Sequence, residues 1–272
     1  SATELLSHAP TSYDRMWSVF VETLGQQSLA RESNLVEEGG HRDWATAAIN
    51  SAPGNLAQML CKILDEKNYG KNEGLPASWK QSAQQLLLLP QDARRFVICI
   101  FVYRINWLYY VDPEWTNKNL LCVLEHESEG DVDAFWAGFF WRGEVPQRTL
   151  YVQLRAFLEE FLSEPADEDH RNTEVIAVFF LAGWKTIVSG KRLVSSEEFR
   201  RLILSANDSF RSNILWRIGR LSKNRKEWAE DLIEFLRDVW PMQKSLRASG
   251  NSARPLFDLF LIASGNKVTL FN

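Results

Sequence analysis

Four histidines, three cysteines and several carboxylate clusters are the residues of this 272-residue chain that could support a reaction. Glu125-His126-Glu127 and Glu168-Asp169-His170 each set an imidazole beside carboxylates. Adjacent residues point in different directions, and no second histidine follows at helical spacing. A metal centre built on either triplet would therefore need ligands from elsewhere in the chain. His8 and His41 stand apart from both. Cys61, Cys99 and Cys122 are too few and too scattered for a disulfide framework, and each lies in an apolar run. Free cysteine in such a place behaves as a small hydrophobe, which fits a reducing, cytoplasmic setting. No phosphate loop GxxxxGK(S/T), no dinucleotide GxGxxG, no GxSxG and no HExxH occurs. From spacing alone we expect no cofactor, no metal and no catalytic group. An enzyme whose site assembles only in space is the last of three readings.

The densest functional pattern is basic and aromatic. Arg211, Trp216, Arg217, Arg220, Lys223, Arg225, Lys226 and Trp228 fall on two consecutive helices and their junction, with Lys191, Arg192, Arg200 and Arg201 upstream. Arg217 and Arg220 are three apart and share a helix face. We take Arg211, Arg217, Arg220, Lys223, Arg225 and Lys226 as candidate partner-binding residues, able to meet nucleic acid or an acidic protein. The ordinary alternative is a solvated face whose cations pair with Glu227, Glu230, Asp231 and Glu234. From Lys185 onward there are 16 Lys/Arg against 9 Asp/Glu, whereas the whole chain carries a net charge of −4. The basic end follows an acidic stretch holding Glu159, Glu160, Glu164, Asp167, Glu168, Asp169 and Glu174.

The elements that position these residues read as helices almost throughout. The clearest is Trp44 to Leu64, a helix, a turn at Ser51-Ala52-Pro53, and a second helix whose Leu56, Met59, Leu60, Ile63 and Leu64 mark one buried face. Proline suits the first turn of a helix and pushes Ala52 out of helical conformation. Asp92 to Tyr110 is apolar nearly all round and is expected as one enclosed helix; a buried strand is the competing reading for Phe96 to Val102. Asp112-Pro113 predicts an N-cap and a proline at the first helical position of Trp115 to Leu124. Further helices are expected at 13–24, 78–89, 131–141, 146–162, 173–188, 209–221, 226–240 and 253–263. Another opens at the capping box Ser195-Ser196-Glu197-Glu198. Asn68 to Pro76 reads as a loop.

Eleven tryptophans spread over the length suit wedges between helices better than one aromatic site. No alternating strand pattern is visible. The fold class is therefore all-α, a HEAT-like helical-repeat solenoid or an irregular multi-helix bundle. We expect one domain over 1–272, with a subdivision near 165–172. The longest apolar run, Phe96 to Val111, is broken by Arg104 and Asn106, so no membrane contact is expected. The opening Ser1-Ala2, without methionine, suggests a piece of a longer protein.

Trp44-Ala45-Thr46-Ala47-Ala48-Ile49-Asn50-Ser51-Ala52-Pro53-Gly54-Asn55-Leu56-Ala57 resembles a motif in the long helical region of large bacterial anti-phage defence proteins, which follows a sirtuin-like NAD-hydrolysing domain. Arg254 to Asn266 resembles a later helix of that region. The likeness directly covers about a sixth of the chain and rests on packing residues, so it assigns no catalytic role to any of them. It implies the sensor part of such a protein, binding an invader or regulatory protein or helping a sibling domain to oligomerise. Any NAD cleavage would belong to a domain outside this chain. The main expectation is thus a non-catalytic recognition domain with a protein partner. The alternative is a nucleic-acid-binding helical protein using its basic C-terminal third.

Overall fold

The computed structural model describes residues 17–26, 43–65, 69–126, 128–163, 170–224, 227–241, 243 and 250–270. The fold is all-α. The chain divides into two compact units, 1–147 and 148–272, a boundary some twenty residues before the subdivision read from the acidic stretch.

In the first unit, helices run over 17–26 (α1), Trp44–Ile49 (α2), Ala52–Asp65 (α3), Ala77–Leu87 (α4), Gln91–Tyr103 (α5) and Ile105–Val111 (α6). Pro113–Thr116 (α7) passes through a π-helical turn, Asn117–Leu121, into Val123–His126 (α8), and Glu129–Arg142 (α9) closes the unit. α5 is the centre. Val97 to Val102 are all buried, and α2, α3, α4 and α9 pack around it, as a helix apolar on every side requires. The expected single helix to Tyr110 is interrupted at Arg104, where a tight turn ends α5 and starts α6. The break leaves Arg104 and Asn106 half-buried rather than carrying both into the apolar interior.

The turn between α2 and α3 explains its own sequence. Ser51 Oγ donates to the Ala48 carbonyl at 2.9 Å and accepts from the Gly54 N–H at 3.0 Å, capping α3. Position 54 has to be glycine because a Cβ there would overlap the Ala48 carbonyl. Asp112 caps α7 by accepting from the Trp115 N–H at 2.9 Å. The same carboxylate accepts from the Leu75 N–H at 3.0 Å and pairs with Lys80 Nζ at 2.6 Å, tying the 69–76 loop to the core.

The second unit holds Arg148–Ser163 (α10), His170–Lys185 (α11), Ser196–Ser205 (α12), Asp208–Asn224 (α13), Glu227–Glu234 (α14), a π-helical continuation Phe235–Val239, and Gly250–Leu270 (α15). Its core is aromatic: Tyr151 stacks on Phe179 with centroids 3.9 Å apart, and Trp184 meets Phe235 edge-on at 5.9 Å. The expected helix to Val188 stops at Lys185. Two-residue strands, Ile187–Val188 (β1) and Lys191–Arg192 (β2), pair antiparallel instead. Ser189 and Gly190 both have positive φ, the geometry of a tight hairpin turn, and the Ser-Gly pair was its one local signal. The capping box forms as read: Ser195 Oγ accepts from the Glu198 N–H while the Glu198 carboxylate takes the Ser195 N–H at 2.8 Å.

α15 starts three residues before the expected Ala253 and carries Pro255 within it. Proline has no N–H for the carbonyl four residues back. That carbonyl, on Asn251, receives the Ser212 hydroxyl at 3.1 Å, so the proline's missing bond becomes a link from α13 to α15. Among the described residues no helix is long and apolar enough to cross a membrane.

Candidate functional site

The two tryptophans most exposed among the described residues are Trp141 and Trp216, and only Trp216 stands among cations without carboxylate partners. Eight of the others, including Trp44, Trp79, Trp184 and Trp240, are buried between helices. Trp216 lies on α13, whose opposite face sends Ile214 and Ile218 into the core. On the exposed side Trp216, Gly219, Arg220 and Lys223 recur at three- and four-residue spacing and form one wall of a groove of about 430 Å³. α15 supplies the other wall through Arg254, Pro255, Asp258 and Ile262. Leu256 and Leu259 of α15 are buried, while Phe257, Phe260 and Leu261 are exposed.

The Arg220 guanidinium sits 5.3 Å from the centre of the Trp216 ring, a cation–π contact that leaves its N–H groups available to a ligand. Arg220, Lys223 and Arg254 make no ion pair with a described carboxylate; Asp258 is the one acid in the lining. Two of the four acids that the ordinary reading assigned to these cations are engaged elsewhere. Asp231 pairs with Lys185, and Glu234 holds Arg192 through both oxygens at 2.8 and 2.7 Å.

The candidate residues do not form one surface. Arg211 turns inward with a side chain 12% exposed, donating to the carbonyls of Ile203 at 2.9 Å and Leu204 at 3.2 Å and pairing with Asp208. It caps the C-terminal end of α12, where a cation meets unsatisfied carbonyls and the negative end of the helix dipole. Arg217 faces α11 and approaches Glu174 at 3.8 Å, away from the Arg220 wall. Arg220 and Lys223 do line the groove; Arg225 and Lys226 lie outside the described residues. Upstream, Arg200 donates to the Arg237 carbonyl at 3.1 Å and Arg192 to the Trp184 carbonyl at 2.5 Å.

Arg254 was missed as a groove residue. Its sequence signal was only its place beside Pro255, since nothing local tells that α15 folds back along α13. The acidic segment Glu164 to Asp169 lies outside the described residues, as do His8 and His41. His126 and His170 are terminal residues of α8 and α11 rather than loop residues.

Burial, with the Asp43 charge adding to it, pushes the Cys99 thiol up to about 12, so it stays protonated at neutral pH. Among the described residues no three His, Cys, Asp or Glu side chains are gathered as a metal site would need. What the groove offers is recognition chemistry: an exposed indole, three cations with available donors and an apolar shoulder. No protein-family model, no curated protein and no solved structure matches this chain.

Proposed function

We propose that this chain is a non-catalytic recognition domain that binds an acidic surface of a protein partner through the α13/α15 groove. The observation that carries the reading is Trp216, exposed and stacked by Arg220 beside Lys223 and Arg254, all three cations unpaired with described carboxylates. Tryptophan and arginine together are the residues that most often dominate binding energy at protein interfaces. Phe257, Phe260 and Leu261 extend an apolar surface along α15, which suits a folded protein partner. The likeness of residues 44–57 and 254–266 to the helical region of sirtuin-linked anti-phage proteins supports a bacterial defence setting, with an invader or regulatory protein as the partner.

The test compares the wild-type chain with Arg220→Glu/Lys223→Glu/Arg254→Glu in pull-downs from phage-infected and uninfected bacterial lysates. The variant is expected to keep its stability within about 0.5 kcal/mol, because the three residues are surface cations without ion pairs. It should lose a protein that the wild type captures only after infection. Equal capture by both chains removes the groove from the reading.

A second reading rests on the same stack. Indole and guanidinium planes also hold unpaired bases. Single-stranded DNA bound by the wild type at low salt, with affinity falling steeply as salt rises, would favour it.

A further inference from the structure

The two walls of the α13/α15 groove run in the same direction. Ser212 of α13 donates to the Asn251 carbonyl of α15, and farther along both helices Gly219 lies against Leu259. Arg254 therefore stands at the level of Leu215 and Trp216. At about 1.5 Å per residue, Lys223 lies about 12 Å farther along the groove, with Arg220 between them. The floor is apolar: Leu215 and Leu259 are each 1% exposed, and Trp216, Pro255 and Ile262 rise beside them. Cations stand on both walls, Arg220 and Lys223 on α13 and Arg254 on α15, against the single acid Asp258. An occupant that matches this lining is apolar along its middle and acidic on both sides.

The walls also select the occupant's backbone. In the middle of a helix the N–H and C=O groups are bonded within the helix, so neither wall offers an edge to which an extended strand could add. Pro255 frees one carbonyl, on Asn251, and Ser212 already takes it. A strand laid over Leu215 and Leu259 would leave its own backbone groups short of partners, at a cost in free energy. A helix brings its backbone bonds with it. The furrow between two packed helices is also the shape that the ridge of a third helix fills. Residues four and seven apart on such a helix stand about 6 and 10 Å along one face, close to the span from Arg254 to Lys223.

We propose, building on the groove's role as a protein-binding surface, that its occupant is an acidic amphipathic helix of the partner. Its apolar residues cover Trp216, Pro255 and Ile262. Its carboxylates reach Arg254 on one flank and Arg220 and Lys223 on the other.

The experiment measures the fluorescence anisotropy of two labelled peptides of about 18 residues, made of leucine, glutamate and alanine, against the full chain; that length lets an isolated helix form. The first has its leucines on one helical face and glutamates on both flanks. The second keeps the same leucines and glutamates but has proline in place of two central alanines, which breaks the helix without changing the charge. The first is expected to bind at one site per chain and at least about ten-fold more tightly than the second. Arg220→Glu/Lys223→Glu/Arg254→Glu should abolish that binding. Trp216→Ala should weaken it at least about ten-fold, as loss of a central interface tryptophan does. Equal binding of the two peptides overturns the proposal, as does binding of the first that the triple variant leaves unchanged. Binding of oligothymidylate but of neither peptide overturns it in favour of single-stranded nucleic acid. Binding of none of the three probes overturns it as well. Capture of a lysate protein by the wild type and not by the triple variant would survive failure of the peptides, so the helical occupant and the protein-binding groove are judged separately.

Discussion

Two helix pairs, one in each unit, use a glycine to come close, and they do so to opposite effect. In the first unit α9 presents Gly138 to α5, and the space a Cβ would take is filled by the backbone of Cys99, its carbonyl oxygen above all. In the second unit α13 presents Gly219 to α15, and the neighbour is the end of a side chain, Leu259 Cδ2 at 2.9 Å. Backbone against backbone leaves nothing between the helices: Cys99 is fully buried, as are Ala134 and Phe135 of α9. Backbone against side chain holds the α13 and α15 axes apart and leaves the groove lined by Trp216, Arg220 and Arg254. The cations follow the same division. Arg94 and Arg95, at the edge of the closed pair, are pinned by a buried aspartate, whereas Arg220, Lys223 and Arg254, beside the open pair, have no described carboxylate to hold them.

The largest effect should come from closing that difference at its tightest point. Gly138→Ala forces a methyl group into the α5 backbone, which cannot rotate away. We expect a loss of about 3 kcal/mol, seen as a fall of roughly 10 °C in the melting temperature of the first unit. A fall of only a degree or two would mean that α5 and α9 can slide apart, and the contrast with α13 and α15 would disappear.

Removing the pin comes next. Asp131→Ala leaves two guanidiniums facing each other with their shared carboxylate gone. Because both arginines are about a quarter exposed, water screens part of the repulsion, and the expected loss is about 2 kcal/mol rather than the larger figure for a sealed pair. Chemical denaturation measures it. Arg220→Ala, beside the open pair, should change the same midpoint by less than about 0.5 kcal/mol.

The pH dependence separates the units again. Burial opposes ionisation of Asp112, but hydrogen bonds from Lys80, the Leu75 N–H and the Trp115 N–H outweigh it and hold the carboxyl below its ordinary value of 3.8. A folded value below the unfolded one contributes stability that is complete above the unfolded value and is lost as pH falls through the folded one. Asp112→Asn should therefore cost about 1 kcal/mol at neutral pH and flatten the acid limb of the first unit below about pH 4. The second unit should keep its own limb. There the Ser195 hydroxyl foremost, with burial opposing, and then the Ser195 N–H and Arg155 hold the Glu198 carboxyl at about 2. An unchanged acid limb in Asp112→Asn would show that the Lys80 pair has no influence on folding.

Local chemistry made much of this legible from sequence. The Asp112 N-cap, the Ser195 capping box, the helix break at Ser51 and the all-round apolar α5 depend on residues a few positions apart, so spacing alone reveals them, although Ala52, expected outside the helix ahead of Pro53, is the first residue of α3. Non-local pairing was hidden. α2 packs on α3 and α3 on α4 in chain order, but α5 reaches past three intervening helices to α9. The trace of that reach is Gly138, set between the bulky Trp136 and Phe139. The groove was half legible for the same reason. Arg220 and Lys223 announce themselves on one helix, but Arg254 joins them only because α15 folds back on α13, and Arg211 is withdrawn because α12 ends beside it.

The smallest expected effect tests the open pair from inside. Gly219→Ala adds a methyl that the end of Leu259 can avoid by rotating, at a cost of about 1 kcal/mol. Alanine also improves on glycine in a helix interior by about the same amount. The two should nearly cancel, leaving stability within about 0.5 kcal/mol of the wild type. The added methyl still narrows the groove beside Trp216, so partner capture should weaken while folding does not. This pattern is the reverse of Gly138→Ala, where stability is expected to fall. Should Gly219→Ala instead lose as much stability as Gly138→Ala, Leu259 would be as immovable as a backbone. The α13/α15 surface would then be a closed seam rather than a place for a partner to enter.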